Sequence, residues 1–424
     1  MLEIQPFDFS RWPIAVSDLP LDTYLVGGAV RDALLGRTTL YPDLDFIVPN
    51  QSLELAATLA QRYQAGFVVL DRQRQIGRVV FKNMTVDIAQ QQGDTLLTDL
   101  RDRDFRLNAI AYDIHRHHIV DPLGGLLDLQ QRQIHYVSPD NLAADPLRLV
   151  RAYRQAAQLQ FTITSDTRRV IQTLASRLRT VAPERVRVEL SYLLSMVESA
   201  ASVTLAFRDG VLGVWLPSVT EESMTHYHAL ETTLANFPFP ALWPSLTTSI
   251  ATTAAPGEPQ RRTLAALAKL TCLVHPDPQQ AETQLFALTY TANEIKVVKV
   301  LCRLLQDWLI PLQQPLNREQ SFYLFRAARD FFPAFVALAL SRTIPKAHLI
   351  PLVRAWLDPT NTVAHPPQLV RGADLVQQFQ LRQGPEIGRI LKAIEAAQAR
   401  GEIGDRASAL AFVDRLLRQP AKPK

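Results

Sequence analysis

The spacing of hydrophobic positions changes near residue 140 of this chain. Before that point, short apolar runs alternate with turn residues, and the predicted strands or strand-like pieces are 23–27, 44–48, 67–70, 78–81, 85–89, 108–114 and 118–122. Two helices are predicted between them, at 29–35 and 52–63. After Leu142, apolar residues recur at i, i+3, i+4 and i+7, which predicts helices that include 145–159, 166–178, 184–197, 293–309 and 384–401. The pattern predicts an α+β segment followed by an all-α remainder.

The distribution of glycine supports this division. The chain has 16 glycines in 424 residues, with none between Gly125 and Gly210 and none between Gly257 and Gly372. Such stretches favour packed helices, because glycine weakens a helix interior. Proline-rich pieces at 238–244, 252–259 and 361–367 are predicted linkers. We expect four segments: a head (1–140), a helical neck (141–210), a helical body (211–365) and a helical tail (366–424).

Composition excludes several classes of protein. No apolar run approaches the roughly 20 residues of a membrane span, and the first residues lack the basic and apolar regions of a secretory signal. The two cysteines, Cys272 and Cys302, exclude a disulfide scaffold and fit a reducing compartment. We therefore expect a cytoplasmic protein. The net charge of +4 permits an anionic partner without requiring one.

The strongest chemical signal is a glycine pair followed by two aspartates. Asp43 and Asp45 stand two apart at a predicted strand, so both carboxylates project from one face. Their repulsion is relieved by a hard dication such as Mg²⁺. Gly27 and Gly28 open a predicted helix, where backbone N–H groups favour phosphate. Together these features indicate metal-assisted phosphoryl or nucleotidyl transfer; the alternative is an ordinary tight turn with Asp43 as a loop residue.

A third carboxylate lies on another predicted strand. Asp87 stands between Val86 and Ile88, an unusual place for a charge. It is predicted to be a third metal ligand or the base that accepts the proton of an attacking hydroxyl. The alternative is a position on the solvated face of the sheet.

These motifs resemble those of the class II tRNA nucleotidyltransferase and bacterial poly(A) polymerase family, within the polymerase β-like nucleotidyltransferases. The resemblance runs nearly end to end and is most specific in the N-terminal motifs. Five segments carry it: Gly27 to Asp45, DRDFRLNA (102–109), Asp121 with Gly124-Gly125, ADPLR (144–148) and ERVRVELSYLL (184–194). Two positions depart from the family pattern, Asp102 in place of an arginine and Ala144 in place of a glutamate.

The resemblance implies a fold and a set of residue roles. The expected fold is an α+β polymerase β-like head followed by an elongated all-α neck, body and tail, with a flexible connection at Gly124-Gly125. Asp43, Asp45 and Asp87 would be catalytic, and the first two would bind Mg²⁺. The expected nucleotide-binding residues are Gly27, Gly28 and Arg31 for the triphosphate, Arg103, Asp104 and Asn108 for the ribose, Asp145 and Arg148 for the base, and Arg151 and Arg154 beside them. Helical arginines, namely Arg151, Arg154, Arg168, Arg169, Arg185 and Arg187, would supply cations for tRNA phosphates.

The interval between Asp87 and Arg103 concerns specificity. It covers 16 positions, where relatives that add a full CCA end hold a longer flexible loop associated with the switch from CTP to ATP. The short interval predicts an enzyme that adds two cytidines to tRNA from CTP and leaves the terminal A to a partner enzyme. The alternatives are full CCA addition with CTP and ATP, an A-adding enzyme or poly(A) polymerase, and an inactive RNA-binding protein.

Overall fold

The computed structural model describes residues 7–37, 43–249 and 262–418. The predicted linker at 252–259 lies outside these residues. The strands are β1 (Tyr24–Val26), β2 (Leu44–Val48), β3 (Gly66–Asp71), β4 (Ile76–Val80), β5 (Thr85–Gln90), β6 (Ala111–Asp113), β7 (His118–Val120), β8 (Gln133–Ile134) and β9 (Thr162–Ile163).

Helices supply most of the remaining structure. In the first half of the chain they are α1 (Gly28–Leu34), α2 (Ser52–Arg62), α3 (Leu96–Arg101), α4 (Gly125–Gln131), α5 (Pro139–Ala144), α6 (Leu147–Leu159), α7 (Ser165–Leu174), α8 (Pro183–Ser195) and α9 (Ala200–Arg208). In the second half they are α10 (Glu221–Ala235), α11 (Trp243–Thr247), α12 (Leu264–Thr271), α13 (Pro278–Ala287), α14 (Ala292–Trp308), α15 (Arg318–Ala328), α16 (Phe332–Ser341), α17 (Lys346–Leu357), α18 (Gly372–Phe379), α19 (Pro385–Arg400) and α20 (Arg406–Arg418). None of the helices in the described ranges has the length and apolar character needed to cross a bilayer.

The large sheet places two distant segments side by side. Its strand order is β3-β4-β5-β2-β1-β6-β7. The β2–β5 pair is parallel, whereas the other neighbours in this sheet are antiparallel. A parallel pair needs a crossover, which α2, β3 and β4 provide, and α2 packs on β3, β4 and β5. The predicted α+β head and its helical continuation are thereby confirmed, with boundaries shifted by a few residues.

Two short helices in the head were not predicted from the sequence pattern. Helix α3 has only six residues, too few for a clear amphipathic period. Helix α4 begins at Gly125, a residue that the family resemblance places in a flexible connection. Its first N–H groups are bonded by Asp121, whose Oδ1 accepts from Gly125 N and whose Oδ2 accepts from Leu126 N, both at 2.8 Å. A side chain thus starts a helix where propensity alone would not.

The Gly124-Gly125 doublet, expected to be a flexible connection, lies at the start of α4, and its flexibility stays a prediction. Gly124 adopts a left-handed conformation with φ 79°, which glycine accepts without strain. Gly125 is needed for a different reason, because a Cβ there would lie 2.3 Å from the carbonyl oxygen of Arg106. These contacts favour a fixed helix start over a hinge at this doublet.

The chain divides into two compact units. The first comprises Met1–Leu193 and Ala201–Trp215, and the second comprises Leu194–Ala200 and Leu216–Lys424. The second unit contains a buried ion pair, in which Lys269 Nζ lies 2.5 Å from Glu231 Oε1 and 2.5 Å from the carbonyl oxygen of Met196. Its C-terminal helices share an apolar cluster, with Leu375, Ile390, Ile394, Ala397 and Val413 among the buried members. The four-segment division expected from the sequence remains a prediction.

Candidate active site

A row of charged residues crosses the centre of the large sheet. Asp45 on β2 is the register partner of Asp87 on β5, and Asp87 is the partner of Arg78 on β4. On its other side, Asp45 is paired with Val26 of β1. Because register partners project from the same face of a sheet, these charges form one line across adjacent strands.

Asp43 and Asp45 lie at the beginning of β2. The exposed Asp43 accepts a hydrogen bond from Thr85 Oγ1 at 2.9 Å. Asp45 is more enclosed, and its burial, together with repulsion from Asp87 and Asp43, raises its pKa to about 6 in spite of Arg103 and Arg78. Burial and the neighbouring carboxylates both disfavour the ionised form of Asp45, and a bound cation would offset both effects.

Asp87 has a closer partner than the sequence pattern indicates. Arg78 forms a bidentate ion pair with it, with Nε 2.7 Å from Oδ1 and Nη2 2.8 Å from Oδ2. The guanidinium neutralises the charge that would serve a metal or accept a proton. The arrangement therefore disfavours Asp87 as a third ligand or as the base, and its predicted catalytic role is untested.

The turn before α1 brings backbone close to the carboxylates. Gly27 has φ 74° and ψ −140°, a conformation that L side chains rarely adopt. A Cβ on Gly27 would lie 3.2 Å from Asp45 Oδ2 and 3.4 Å from Arg103 Nη1. Both charged groups thus border the Gly27 backbone, and a larger residue would crowd the space between them. Gly28 begins the helix beside the side chain of Arg31.

A buried polar network lies beneath this turn. Asn108 accepts a hydrogen bond from Arg31 Nη1 at 2.9 Å through Oδ1. Its Nδ2 donates to Asp104 Oδ1 at 2.9 Å and to Gln155 Oε1 at 3.0 Å. Arg31 also contacts Asp32 through Nε at 2.9 Å and Nη2 at 2.8 Å. The network connects α1, the segment after α3, and α6.

Asp104 carries a full charge in this buried network. Its Oδ2 lies 3.0 Å from Arg151 Nε, and its Oδ1 accepts from Phe105 N at 2.8 Å. Burial alone would raise the pKa of Asp104, but Arg151 and the hydrogen bonds from Asn108 and Phe105 N hold it below its usual range. This carboxylate therefore stays ionised near neutral pH.

Asp145 and Arg148 flank the start of α6. Asp145 Oδ1 accepts from Leu147 N at 3.3 Å, and its Oδ2 lies 2.9 Å from Arg185 Nη2. The side chain of Asp145 thus supports the helix start and still faces the cavity described below. Arg148 Nη1 donates to the carbonyl oxygen of Asn141 at 3.1 Å. Burial lowers the pKa of Arg148, although Asp104 and Asp145 oppose this effect.

Further along, α6 and α8 share a second ion pair. Arg154 Nε lies 2.5 Å from Glu189 Oε2, and its guanidinium carbon lies 5.8 Å from the ring centre of Tyr192. Arg154 Nη1 also donates to Gln158 Oε1 at 2.8 Å. These contacts fix a wall of polar and aromatic groups two to three turns from Asp145.

The helical arginines expected to meet tRNA phosphates are mostly paired within the protein. Arg168 forms a bidentate ion pair with Asp209 at 2.7 and 2.9 Å, and Arg169 pairs with Asp166. Arg187 is 8% exposed. Together with the ion pairs of Arg151, Arg154 and Arg185, this pattern favours structural roles for these side chains over an open phosphate-binding face.

One cavity of about 950 Å³ collects the predicted site residues. All of them except Asp87 line it, namely Gly27, Gly28, Arg31, Asp43, Asp45, Arg103, Asp104, Asn108, Asp145, Arg148, Arg151 and Arg154. They come from strand β2, the Gly27 turn, the segment after α3, and α6. The structure brings these residues together, while the role of each one remains a prediction.

Other residues of the cavity were missed from the sequence. Gln155 and Gln158 follow Arg148 and Arg151 along one face of α6, and Glu189 and Tyr192 stand three apart on α8. The glutamines lie at helical spacing from Arg148, and this spacing could have predicted that they line the cavity. Arg74, on the turn between β3 and β4, has no such signal because its placement depends on strand pairing.

The short connection between β5 and α3 is fixed by hydrogen bonds. Gln92 N donates to Asp99 Oδ2 at 2.9 Å, and Gln92 Nε2 donates to the carbonyl oxygens of Gln90 at 2.8 Å and Arg74 at 3.3 Å. Gly93 has φ 74°, and a Cβ there would lie 2.6 Å from Thr98 Cγ2. Only five residues, 91–95, separate the strand from the helix. This connection is therefore short, and hydrogen bonds attach it to the adjacent turn and helix.

No cluster of three or more His, Cys, Asp or Glu side chains among the described residues has the arrangement of a metal site. At the sheet, the protein itself offers the carboxylates of Asp43 and Asp45. A cation bound there would take further ligands from a substrate or from water, as Mg²⁺ commonly does with phosphates.

Three family models match successive parts of the chain. They are "Poly A polymerase head domain" over residues 23–135, "Probable RNA and SrmB- binding site of polymerase A" over 160–223, and a model of tRNA nucleotidyltransferase domain 2 over 260–413. The first match includes the Gly27 turn, the Asp43–Asp45 pair and three members of the buried network, Arg31, Asp104 and Asn108.

Relatives match over nearly the whole length. The CC-adding tRNA nucleotidyltransferase of Synechocystis sp. is 39% identical, with 95% of this chain and 96% of the relative covered. The A-adding tRNA nucleotidyltransferase of Deinococcus radiodurans is 30% identical, with 96% and 98% covered. The CCA-adding enzyme of Thermotoga maritima, solved in complex with tRNA, shares the fold with a TM-score of 0.65, 20% identity and coverage of 93% and 91%. The chain therefore belongs to the family of tRNA nucleotidyltransferases built on the poly(A) polymerase head domain.

Proposed function

We propose that this protein adds the two cytidines of the CCA end to tRNA, using CTP and no nucleic-acid template. The observation that carries the proposal is the single cavity that joins the Asp43–Asp45 pair, the Gly27 turn and the Asp145–Arg148 pair. A carboxylate pair suits nucleotidyl transfer. A fixed donor and acceptor pair suits the choice of a base by the protein itself.

Different residues of the cavity would bind different parts of the nucleotide. Gly27, Gly28 and Arg31 would hold the triphosphate, since the Gly27 backbone borders Asp45 and the Arg31 guanidinium lies beside Gly28 at the start of α1. Asp145 and Arg148 would hydrogen-bond the edge of the base. The 3′ hydroxyl of tRNA would attack the α-phosphate, with pyrophosphate as the leaving group, so that one P–O bond forms and one breaks.

The carboxylate pair fits a divalent cation, which we infer to be Mg²⁺. Burial and repulsion from Asp87 and Asp43 raise the pKa of Asp45, a cation would favour its ionised form, and oxygen ligands match the preference of Mg²⁺. Asp43 and Asp45 would hold the ion. When bound, it would supply charge neutralisation at the phosphates and a lower pKa for the attacking hydroxyl.

Two observations favour addition of cytidine over adenosine. The connection at 91–95 is short and bonded to the β3–β4 turn and to α3, so it lacks the freedom to reshape the pocket for a second base. The higher identity is to a relative named CC-adding, at 39%, compared with 30% for the one named A-adding. We infer that a separate enzyme supplies the terminal adenosine.

Incubation with tRNA that lacks its CCA end tests the proposal. Reactions with CTP alone, ATP alone and both together are resolved by sequencing gel. We expect growth by two cytidines with CTP and the same product when ATP is added. A product ending in CCA would replace this reading with full CCA addition, and growth with ATP alone would favour the A-adding alternative. Asp45→Ala is the control for the metal assignment, because it should remove incorporation while the circular dichroism spectrum is kept.

The RNA partner is inferred to be held partly by charge. Binding of tRNA should weaken as salt rises, because phosphate contacts release counterions. A filter-binding series from 50 to 300 mM KCl, roughly the range over which such contacts respond, measures the slope. Salt-independent binding would contradict a phosphate-based interface.

Both cysteines are buried free thiols, which supports a reducing, cytoplasmic setting for this reaction.

A further inference from the structure

A buried amide in the cavity has hydrogen-bonding capacity that the protein does not use. Gln155 lies on α6, is 1% exposed and lines the cavity. Its Oε1 accepts from Asn108 Nδ2 at 3.0 Å. Among the described residues, no acceptor is found for the two N–H groups on Gln155 Nε2, and this nitrogen is not sealed from the cavity. A donor in such a place costs stability unless a ligand or water meets it.

The surrounding hydrogen bonds determine which end of the amide faces the cavity. Asn108 Nδ2 must be a donor, because it faces the ionised carboxylate of Asp104 at 2.9 Å. Asn108 Oδ1 must accept, because it faces Arg31 Nη1 at 2.9 Å. The Gln155 atom beside Asn108 Nδ2 is therefore the carbonyl oxygen, and the NH₂ group points away from Asn108.

The neighbours of this donor indicate the kind of group that it meets. Asp104 Oδ1 and Gln155 Oε1 lie within 3.0 Å of the same nitrogen, so the two side chains are adjacent in the cavity wall. Asp104 Oδ2 is buried and contacts Arg151 without accepting a well-aligned hydrogen bond. Because this carboxylate oxygen is sealed from the cavity, the amide of Gln155 is the group that a ligand meets, and the oxygen of an uncharged hydroxyl group can accept from it. A phosphate would be repelled by Asp104.

We propose that Gln155 is a specificity-determining residue that donates a hydrogen bond to a ribose hydroxyl of the incoming nucleotide. The inference rests on the proposed function in taking that nucleotide to be CTP. Asn108 positions the amide, and the negative charge of Asp104 disfavours a phosphate in place of the hydroxyl group. A deoxynucleotide that lacks the hydroxyl would leave Gln155 Nε2 unpaired in the cavity wall, which is how a buried donor discriminates between ligands.

The experiment compares CTP with 2′-deoxy-CTP and 3′-deoxy-CTP by isothermal titration calorimetry on the full chain without tRNA. Gln155→Leu removes donor and acceptor. Gln155→Glu keeps an acceptor for Asn108 and removes the donor. For the unmodified protein we expect one deoxy analogue to bind roughly five- to tenfold more weakly than CTP, the loss of about one hydrogen bond. Each variant should bind CTP about as weakly as the unmodified protein binds the discriminated deoxy analogue. Each variant should also bind CTP and that deoxy analogue with equal affinity.

Gln172→Leu is the matched control. Gln172 Nε2 donates to Asp209 Oδ1 at 2.6 Å within the same unit but does not line the cavity. The control should lower the melting temperature and leave the preference for CTP over the deoxy analogue unchanged.

Several outcomes would overturn the inference: equal binding of all three nucleotides by the unmodified protein, equal weakening of all three in Gln155→Leu, or a folded Gln155→Glu that keeps the preference. If the preference is lost in the variants but the unmodified protein adds no cytidine to tRNA, the inference stands and the proposed function fails.

Discussion

Asp104 Oδ2 and Arg151 Nε lie 3.0 Å apart and join the segment after α3 to α6. The carboxylate is 6% exposed, so it depends on this guanidinium for its charge. The pair therefore contributes to the stability of the first unit as well as to the shape of the cavity.

Arg151→Met should destabilise the protein at pH 7 by about 3 kcal/mol, because it leaves a buried carboxylate without its partner. The pKa of Asp104 is lowered in the folded state, so its contribution is present above the ordinary value of 3.8 and is lost as the pH falls through the lower folded value. The difference in unfolding free energy between the two proteins should therefore shrink in acid. Urea unfolding from pH 7 to pH 3 measures it. Arg185→Met, which breaks the more exposed pair with Asp145, should cost at most about 1 kcal/mol, and an equal loss in both variants would contradict the argument.

Asp45→Asn should stabilise the metal-free protein at neutral pH. The folded pKa of about 6 lies above the ordinary value of 3.8, so the unfolded chain releases this proton first. Stability should fall between roughly pH 4 and pH 6 and then level off. The variant lacks this loss and should be about 3 kcal/mol more stable at pH 7.5 in EDTA, with the gain absent near pH 3.5. Urea unfolding at both pH values tests the window, and a gain of the same size at both would refute the electrostatic cause.

Gly124→Ala and Gly125→Ala should differ in their cost. At Gly124 no heavy atom lies within 4 Å of the added Cβ, so only the positive φ is penalised, at about 1 kcal/mol. At Gly125 the Cβ meets the backbone oxygen of Arg106 at 2.3 Å, and α4 must shift. Thermal unfolding should show the larger loss for Gly125→Ala. Similar small losses of melting temperature in both variants would indicate that the start of α4 shifts at little cost and would contradict this prediction.

Lys269→Met should destabilise the second unit without changing nucleotide affinity. It leaves Glu231 buried beside a carbonyl-lined site, at a cost of about 3–5 kcal/mol. The cavity lies in the first unit, so CTP binding should be retained below the unfolding transition. Calorimetric unfolding and CTP titration on the same preparation test both halves. Lys299→Met, from a more exposed pair with Glu282, should change stability far less.

The sequence allowed part of the site to be predicted because part of its chemistry is local. Asp43 and Asp45 are recognisable from strand spacing, and Gly27 from its place between a strand and a helix. The partner of Asp87 is not local, since Arg78 reaches it only through the register of β4 on β5. Gln155 is an ordinary polar residue on an amphipathic helix until Asn108 is seen beside it. The ion pairs of the helical arginines could not be predicted either, because the spacing of arginines along a helix does not show which carboxylate lies beside each of them.

The parallel pairing of β2 with β5 has a consequence during synthesis. The row from Asp45 to Arg78 cannot form until residue 90 has left the ribosome, because β5 is the last strand of that crossover. Arg151 and Gln155 follow about 60 residues later, and Tyr192 completes the cavity wall. A nascent chain that ends before α6 therefore carries Asp104 without Arg151 and Asn108 without Gln155. The cavity wall is therefore complete only when the chain has been translated through Tyr192 of α8.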